Sequence, residues 1–245
     1  MKNSIFTHVV ANFILVVLVI GVASVGFLGA TTNVFKNNDY APIYRGSGDK
    51  QVSLMINVYW GTEYLDEMLA IFDKYDVTTT FFVGGSWVAQ YPEMLQKIIG
   101  YGHEIGNHGY HHKQHSKLSY DQNVMEINAC GKIVFEYGSV NMSLFAPPSG
   151  DFGTETLNAA KDNGYRTIMW SRDTIDWKDK DSEIVYTRAT KNTDSGELIL
   201  MHPTKHTAAA LERIVKFYLD KGFTITPVSK NIGEIWTSTN NTKAD

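Results

Sequence analysis

The sequence predicts an α/β domain on a mainly parallel sheet, preceded by one apolar helix. Three observations carry this. From Lys50 onward, short apolar or β-branched runs alternate with stretches of helical period. Residues 9–30 are almost continuously apolar, and no Asp, Glu, Lys or Arg lies between residues 3 and 34. With 43% hydrophobic and 20% charged residues in 245, the chain can bury one full-sized core, and collagen-like, low-complexity and wholly disordered classes are excluded.

In chain order, the apolar run comes first. Its centre, Phe13 to Ile20, is too uniformly apolar for a helix with a wet face, and about 20 such residues suffice to cross a bilayer. Leu28-Gly29-Ala30 is a poor cleavage site and the run outlasts a usual signal core, so residues 1–30 read as a retained signal anchor, with a cleaved signal peptide and secretion as the alternative. Lys2 on one side faces Lys36, Arg45 and Lys50 on the other, so charge leaves the orientation open. The short tail ahead of the run points to a single-pass protein of the cell membrane with its C-terminal domain outside the cytoplasm. Residues 31–50, rich in Asn, Gly and Asp, read as a linker.

The domain follows over residues 51–235. Residues 52–58 have strand length and composition, and Leu65, Met68, Leu69 and Phe72 recur on one helix face. Residues 78–83 (TTTFFV) form a strand. Pro92 then opens a helix carrying Met94, Leu95, Ile98 and Ile99, which Gly100 and Gly102 end. Further strands are expected at 103–107, 166–170, 197–201 and 223–228, and further helices at 120–137, 154–163 and 207–221. About seven strands in this length suit a barrel smaller than the eight-fold one. Residues 236–245 read as a loose tail.

Composition narrows the partners. The net charge of −4 and scattered Lys and Arg give no footprint for nucleic acid. No Gly-rich phosphate loop follows the first strand, which disfavours nucleotide. A single cysteine, Cys130, excludes an intramolecular disulfide and a CxxC metal site.

In an α/β barrel, the chemistry sits at the C-terminal ends of the strands, and three clusters fall there. Residues 103–115 hold five His in thirteen positions, with His108 and His112 spaced so that one helical turn would aim both at a shared metal. His103 and His115 read as structural or solvated. Trp170-Ser-Arg-Asp173-Thr-Ile-Asp176-Trp177 supplies carboxylates, and Leu200-Met201-His202-Pro203 ends a buried strand in a His. Two candidate ligands, a carboxylate and a separate His suit metal-assisted hydrolysis, with the His protonating the leaving group.

These clusters, in this order, resemble the polysaccharide deacetylases (the NodB-homology, carbohydrate esterase family 4 group). Gly102 to His112 is similar to the family's second motif, Pro147-Pro148-Ser149-Gly150 stands where the third belongs, Asp173-Thr-Ile-Asp176-Trp177 is similar to the fourth and Leu200-Met201-His202 to the fifth. Phe81-Phe82-Val83 is similar to the family's second strand, and Leu200 to Lys205 to its sporulation-linked branch. The resemblance implies a distorted (β/α)7 barrel and a divalent metal, zinc as a rule, on His108 and His112. It implies His202 as general acid, Asp176 as its partner, Trp177 and Leu200 lining an acetyl pocket, and the Ser149 backbone N–H at the oxyanion. The implied reaction removes acetyl groups from N-acetylglucosamine or N-acetylmuramic acid in cell-wall peptidoglycan or chitin-like polymers.

The chain departs from the family in two motifs. The first is ordinarily Thr-Phe-Asp-Asp-Gly, whose two Asp are the general base and the third metal ligand. Here it reads Asn57-Val58-Tyr59-Trp60-Gly61. The Arg that holds the base is replaced by Ala146. The joint loss is coherent, since a buried guanidinium without its carboxylate costs several kcal/mol. Tyr59 and Trp60 are expected to fill the vacated space. Glu63 reads as a first-turn helix residue, with a replacement ligand or base as the alternative. Two functions follow: a deacetylase with a non-standard site, or a catalytically inactive, membrane-anchored protein that binds glycan or a partner.

Overall fold

The computed structural model of the protein describes residues 41–233. The anchor expected over residues 1–30, the first part of the linker and the tail at 236–245 lie outside the described residues. Among those described, no helix is long and apolar enough to cross a membrane.

The elements alternate as the periodicities require. β1 (Gln51–Val58) leads to α1 (Leu65–Lys74), β2 (Thr80–Val83), α2 (Gly85–Gln90), α3 (Pro92–Gly100) and β3 (Glu104–Asn107). Then come α4 (Tyr120–Gly138), β4 (Leu144–Phe145), α5 (Thr154–Asp162), β5 (Arg166–Thr167) and β6 (Arg172–Asp173). The domain closes with α6 (Ser182–Thr190), β7 (Glu197–Met201), α7 (Lys205–Asp220), β8 (Thr224–Ile225) and α8 (Val228–Asn231). Every strand pair is parallel, in the order β5-β4-β3-β2-β1-β7-β6. β8 pairs with Gln51 and Val52 at the start of β1, beneath the stretch of β1 that pairs with β2.

The distorted (β/α)7 barrel that the resemblance implies takes the form of a parallel half-barrel sheet, seven strands in one path with β8 added beside β1, and with two edges, β5 and β6. Only residues 168–171 separate these edges in sequence. Parallel neighbours need a crossover of about a dozen residues or more, so β5 and β6 do not pair. The gap is narrowed by the chain entering the domain: Ile43 bridges Ile168 and Arg45 bridges Glu197. The last part of the stretch read as a linker is thus part of the fold. Ser47 N–H continues this docking by donating to the Asn231 carbonyl at 2.9 Å.

Side-chain alternation sorts β1 into two faces. Val52, Leu54, Ile56 and Val58 join the core under the helices, with Leu69 and Phe72 of α1 and Leu211, Ile214 and Val215 of α7. Met55 points to the concave side, packing with Phe82, Leu144, Ile168, Leu198 and Val228. The lower end of that side is plugged by α8, whose Asn231 Nδ2 donates to Ser53 Oγ at 3.1 Å. Asn57, one pleat above Met55, comes to the open upper end, where the site lies.

Candidate functional site

A cleft of about 350 Å³ opens at the C-terminal ends of the strands, lined by Asn57, Trp60, His108, His112, Ser149, Trp170, Asp173, Trp177, Leu200 and His202. Seven of the nine residues singled out from the sequence are among them. Asp176 and Tyr59 stand behind His202 and His112 instead. Trp170 and Asp173 belong to the cluster at 170–177 and Asn57 heads the altered first motif, but the sequence assigns none of the three a place in the cleft, where the structure puts them.

His108 follows β3 directly and is 2% exposed. Its Nδ1 lies 2.7 Å from the Ala146 carbonyl. A carbonyl only accepts, so Nδ1 carries the proton and Nε2 keeps its lone pair. Burial, with His112 adding to it and the Ala146 carbonyl opposing, pushes the His108 imidazole down to about 3. Burial also lowers His112.

The expected helical turn between these two His is corrected. Residues 108–112 form no helix: Gly109 (φ 70°) and His112 (φ 53°) both take the left-handed conformation. That double reversal brings the rings to 5.1 Å between centroids, where a helical turn would have used the spacing of four. His103 and His115 are buried structural groups. His103 Nδ1 accepts from Thr79 N–H at 3.2 Å, and His115 Nδ1 pairs with Asn123 Oδ1 at 2.7 Å.

On the opposite wall, Asp176 is buried and His202 sits against it. Asp176 Oδ1 accepts from His202 Nδ1 at 2.7 Å, and Oδ2 accepts from the His202 backbone N–H at 2.6 Å and from Thr207 Oγ1. The loop that presents Asp176 is strained, because the β-branched Ile175 has φ 51°. Asp173 holds this turn by accepting from Ile175 N–H at 2.8 Å.

Tyr59 and Trp60 follow β1, and of the two only Trp60 lines the cleft. The Tyr59 ring lies 4.6 Å from that of His112. It has room because residue 84 is Gly, where a Cβ would come 2.5 Å from the Tyr59 ring. Trp60 stacks on His202 with centroids 5.5 Å apart and planes 20° apart, and remains 46% exposed. Glu63 faces away from the His pair: its Oε2 accepts from Thr62 N–H at 3.0 Å, beside a separate hollow.

The donor set does not complete a divalent-metal site. Catalytic zinc takes three protein ligands as a rule. His108 and His112 offer two, and among the described residues no group of three His, Cys, Asp or Glu is gathered to hold a metal. What stands intact is the polarised pair Asp176–His202 on one wall and two neutral imidazoles on the other.

The polysaccharide deacetylase family pattern matches residues 45–168, half of the chain, and covers β1 with its altered motif and the His-bearing loop after β3. The chain belongs to the polysaccharide deacetylase family. Among relatives, the uncharacterized protein YlxY of Bacillus subtilis is 39% identical over 79% of this chain, an alignment spanning 61% of YlxY itself. The peptidoglycan-N-acetylglucosamine deacetylase of Bacillus cereus is 31% identical over 68% of this chain and 81% of its own length. Among solved structures, BA3943 of Bacillus anthracis, a CE4 family pseudoenzyme, superposes with a TM-score of 0.77 at 36% identity, over 79% of this chain and 69% of that one.

Proposed function

We propose that this protein binds N-acetylated cell-wall glycan in the cleft without hydrolysing it. The observation that carries the reading is the pair Tyr59–Trp60, which occupies the positions where the resemblance expects the general base and the third metal ligand. Neither ring supplies a carboxylate, and each lies against a surviving polar wall, Tyr59 on His112 and Trp60 on His202. The half-exposed indole gives an apolar face of the kind sugars stack on. The likeness to BA3943, described as a pseudoenzyme, supports the same reading. Residues 9–30 would hold the domain at the outer face of the cell membrane, close to such glycan.

The intact Asp176–His202 pair favours a second reading, a deacetylase with a non-standard site. One experiment separates them. The purified full chain is titrated with N-acetylglucosamine oligomers and peptidoglycan fragments while tryptophan fluorescence reports binding and an enzymatic assay reports acetate. Binding without acetate release, with and without micromolar zinc, is expected. Acetate release that His202→Ala abolishes would establish the hydrolase instead.

A further inference from the structure

The cleft does not end at its two exposed indoles. Trp60 and Trp177, 46% and 57% exposed, also line a second hollow of about 480 Å³ whose other walls include Glu63, Lys180, Lys205 and His206. The two compartments differ in their cations: the inner one holds the carboxylate of Asp173 and no Lys or Arg, whereas the outer one holds two ammonium groups beside the carboxylates of Glu63 and Asp176. The outer carboxylates are already engaged: Asp176 by His202 and Thr207, and Glu63 by the Thr62 N–H. Neither Lys180 nor Lys205 forms a salt bridge among the described residues. Lys205 also opens α7, the helix end where a cation is least favoured, and no acidic residue in that first turn offsets it.

We propose that the outer hollow is a subsite for a carboxylate carried by the glycan beside the sugar held in the inner cleft. This rests on the glycan-binding reading and deepens it. The occupant is then an acidic N-acetylated glycan of the muramoyl class, and a neutral chitin-like chain fills only the stacking positions. Trp60 and Trp177 supply the sugar-stacking walls shared by both compartments, and Lys180 and Lys205 supply the charge that tells the two glycans apart.

The test compares three probes against the full chain by calorimetry and tryptophan fluorescence. They are chitotetraose, an N-acetylglucosamine–N-acetylmuramic acid tetrasaccharide with free lactyl carboxylates, and the same tetrasaccharide with its lactyl groups joined to a short acidic peptide. At least one acidic probe is expected to bind about tenfold more tightly than chitotetraose, the effect of one well-placed charge-assisted contact. Added salt should erode that preference. Whichever acidic probe binds more tightly identifies the source of the carboxylate, lactyl ether or peptide. The double variant Lys180→Gln, Lys205→Gln should bring the affinity ratio of acidic to neutral probe close to one. Equal affinities in the unaltered chain, or a ratio that the double variant does not move, would overturn the subsite while leaving glycan binding in place. Failure of all three probes to bind would overturn the glycan-binding reading itself, and the subsite with it.

Discussion

Trp60 stacks on His202, the ring that Asp176 orients from behind, at 5.5 Å between centroids. An indole therefore covers the best-organised polar group of the cleft from the position where the resemblance expects a metal-binding carboxylate. Replacing it should change what the two imidazoles across the cleft can hold. In Trp60→Asp, a third ligand joins His108 and His112, and near-stoichiometric zinc after dialysis against micromolar free metal is expected. The unaltered chain, with two ligands, should retain far less. Adding His108→Ala to Trp60→Asp should abolish the gain. Metal analysis of the dialysed proteins checks all three.

Asp176 organises its wall through three accepted hydrogen bonds in a buried setting. Asp176→Ala leaves His202 N–H, His202 Nδ1–H and Thr207 Oγ1–H without their acceptor, and a loss of about 3 kcal/mol in urea unfolding is expected. Asp173→Ala removes one bond at the Ile175 turn and should cost about 1 kcal/mol. Equal effects for the two would mean that the His202 partnership contributes nothing beyond a loop contact.

Arg172 ties β6 to β7 and to the end of α6. It bonds both oxygens of the buried Glu197 and donates to the carbonyls of Arg188, Lys191 and Asn192. In Arg172→Met, Glu197 keeps only Arg45 at 3.6 Å, itself substantially exposed. A loss of about 3–5 kcal/mol is expected, typical of a buried charge deprived of its partner. Glu197→Gln in the same background should recover part of it, since the remaining group is then neutral.

His103 is a source of acid sensitivity. Burial between Phe72 and Phe81 pushes its imidazole down to about 4, and its Nδ1 accepts from Thr79 N–H, so protonation there breaks a backbone contact. The folded value lies below the unfolded one of about 6.5. The contribution is therefore complete above that pH and is lost as pH falls from about 6.5 toward 4. His103→Leu should flatten the fall in stability across this window by up to about 1.4 kcal/mol per pH unit, the slope for one proton. Urea midpoints at several pH values measure it, and parallel curves for the two proteins would exclude His103 as the source.

Much of this molecule could be read before its fold was known, and the failures have physical causes. β1, β2, β7 and the helices α1, α3, α4 and α7 announce themselves by a continuous apolar run or by apolar residues recurring at helical spacing. β4 and β6 have two residues each and leave no period to detect. α6 has no counterpart among the expected helices; of its buried residues, Val185, Ala189 and Thr190, only Val185 is large and apolar. The strand expected at 223–228 shortens to Thr224–Ile225 because Pro227 ends it and Val228 begins α8. In the site, the residues with fixed chemistry, His108, His112, Asp176 and His202, were legible from type and order. Asp173 and Trp170 stand in the cluster at 170–177, but nothing in their local pattern says which way their side chains turn.

By itself, the sequence determined the family, the alternation of strand and helix, the polar groups of the cleft, and the residues Tyr59, Trp60 and Ala146 that stand where the resemblance expects two carboxylates and an arginine. Those are properties of residue identity and spacing, which survive without coordinates. Only the tertiary structure decided that His112 reaches His108 through left-handed backbone, that Tyr59 and Trp60 lie against His112 and His202, and that the sheet stays open between β5 and β6. It also placed Lys180 and Lys205 around one hollow from segments distant in sequence. Each of these depends on contacts between separate elements and on backbone reversals, and the geometry of such contacts is set only when the whole core has packed.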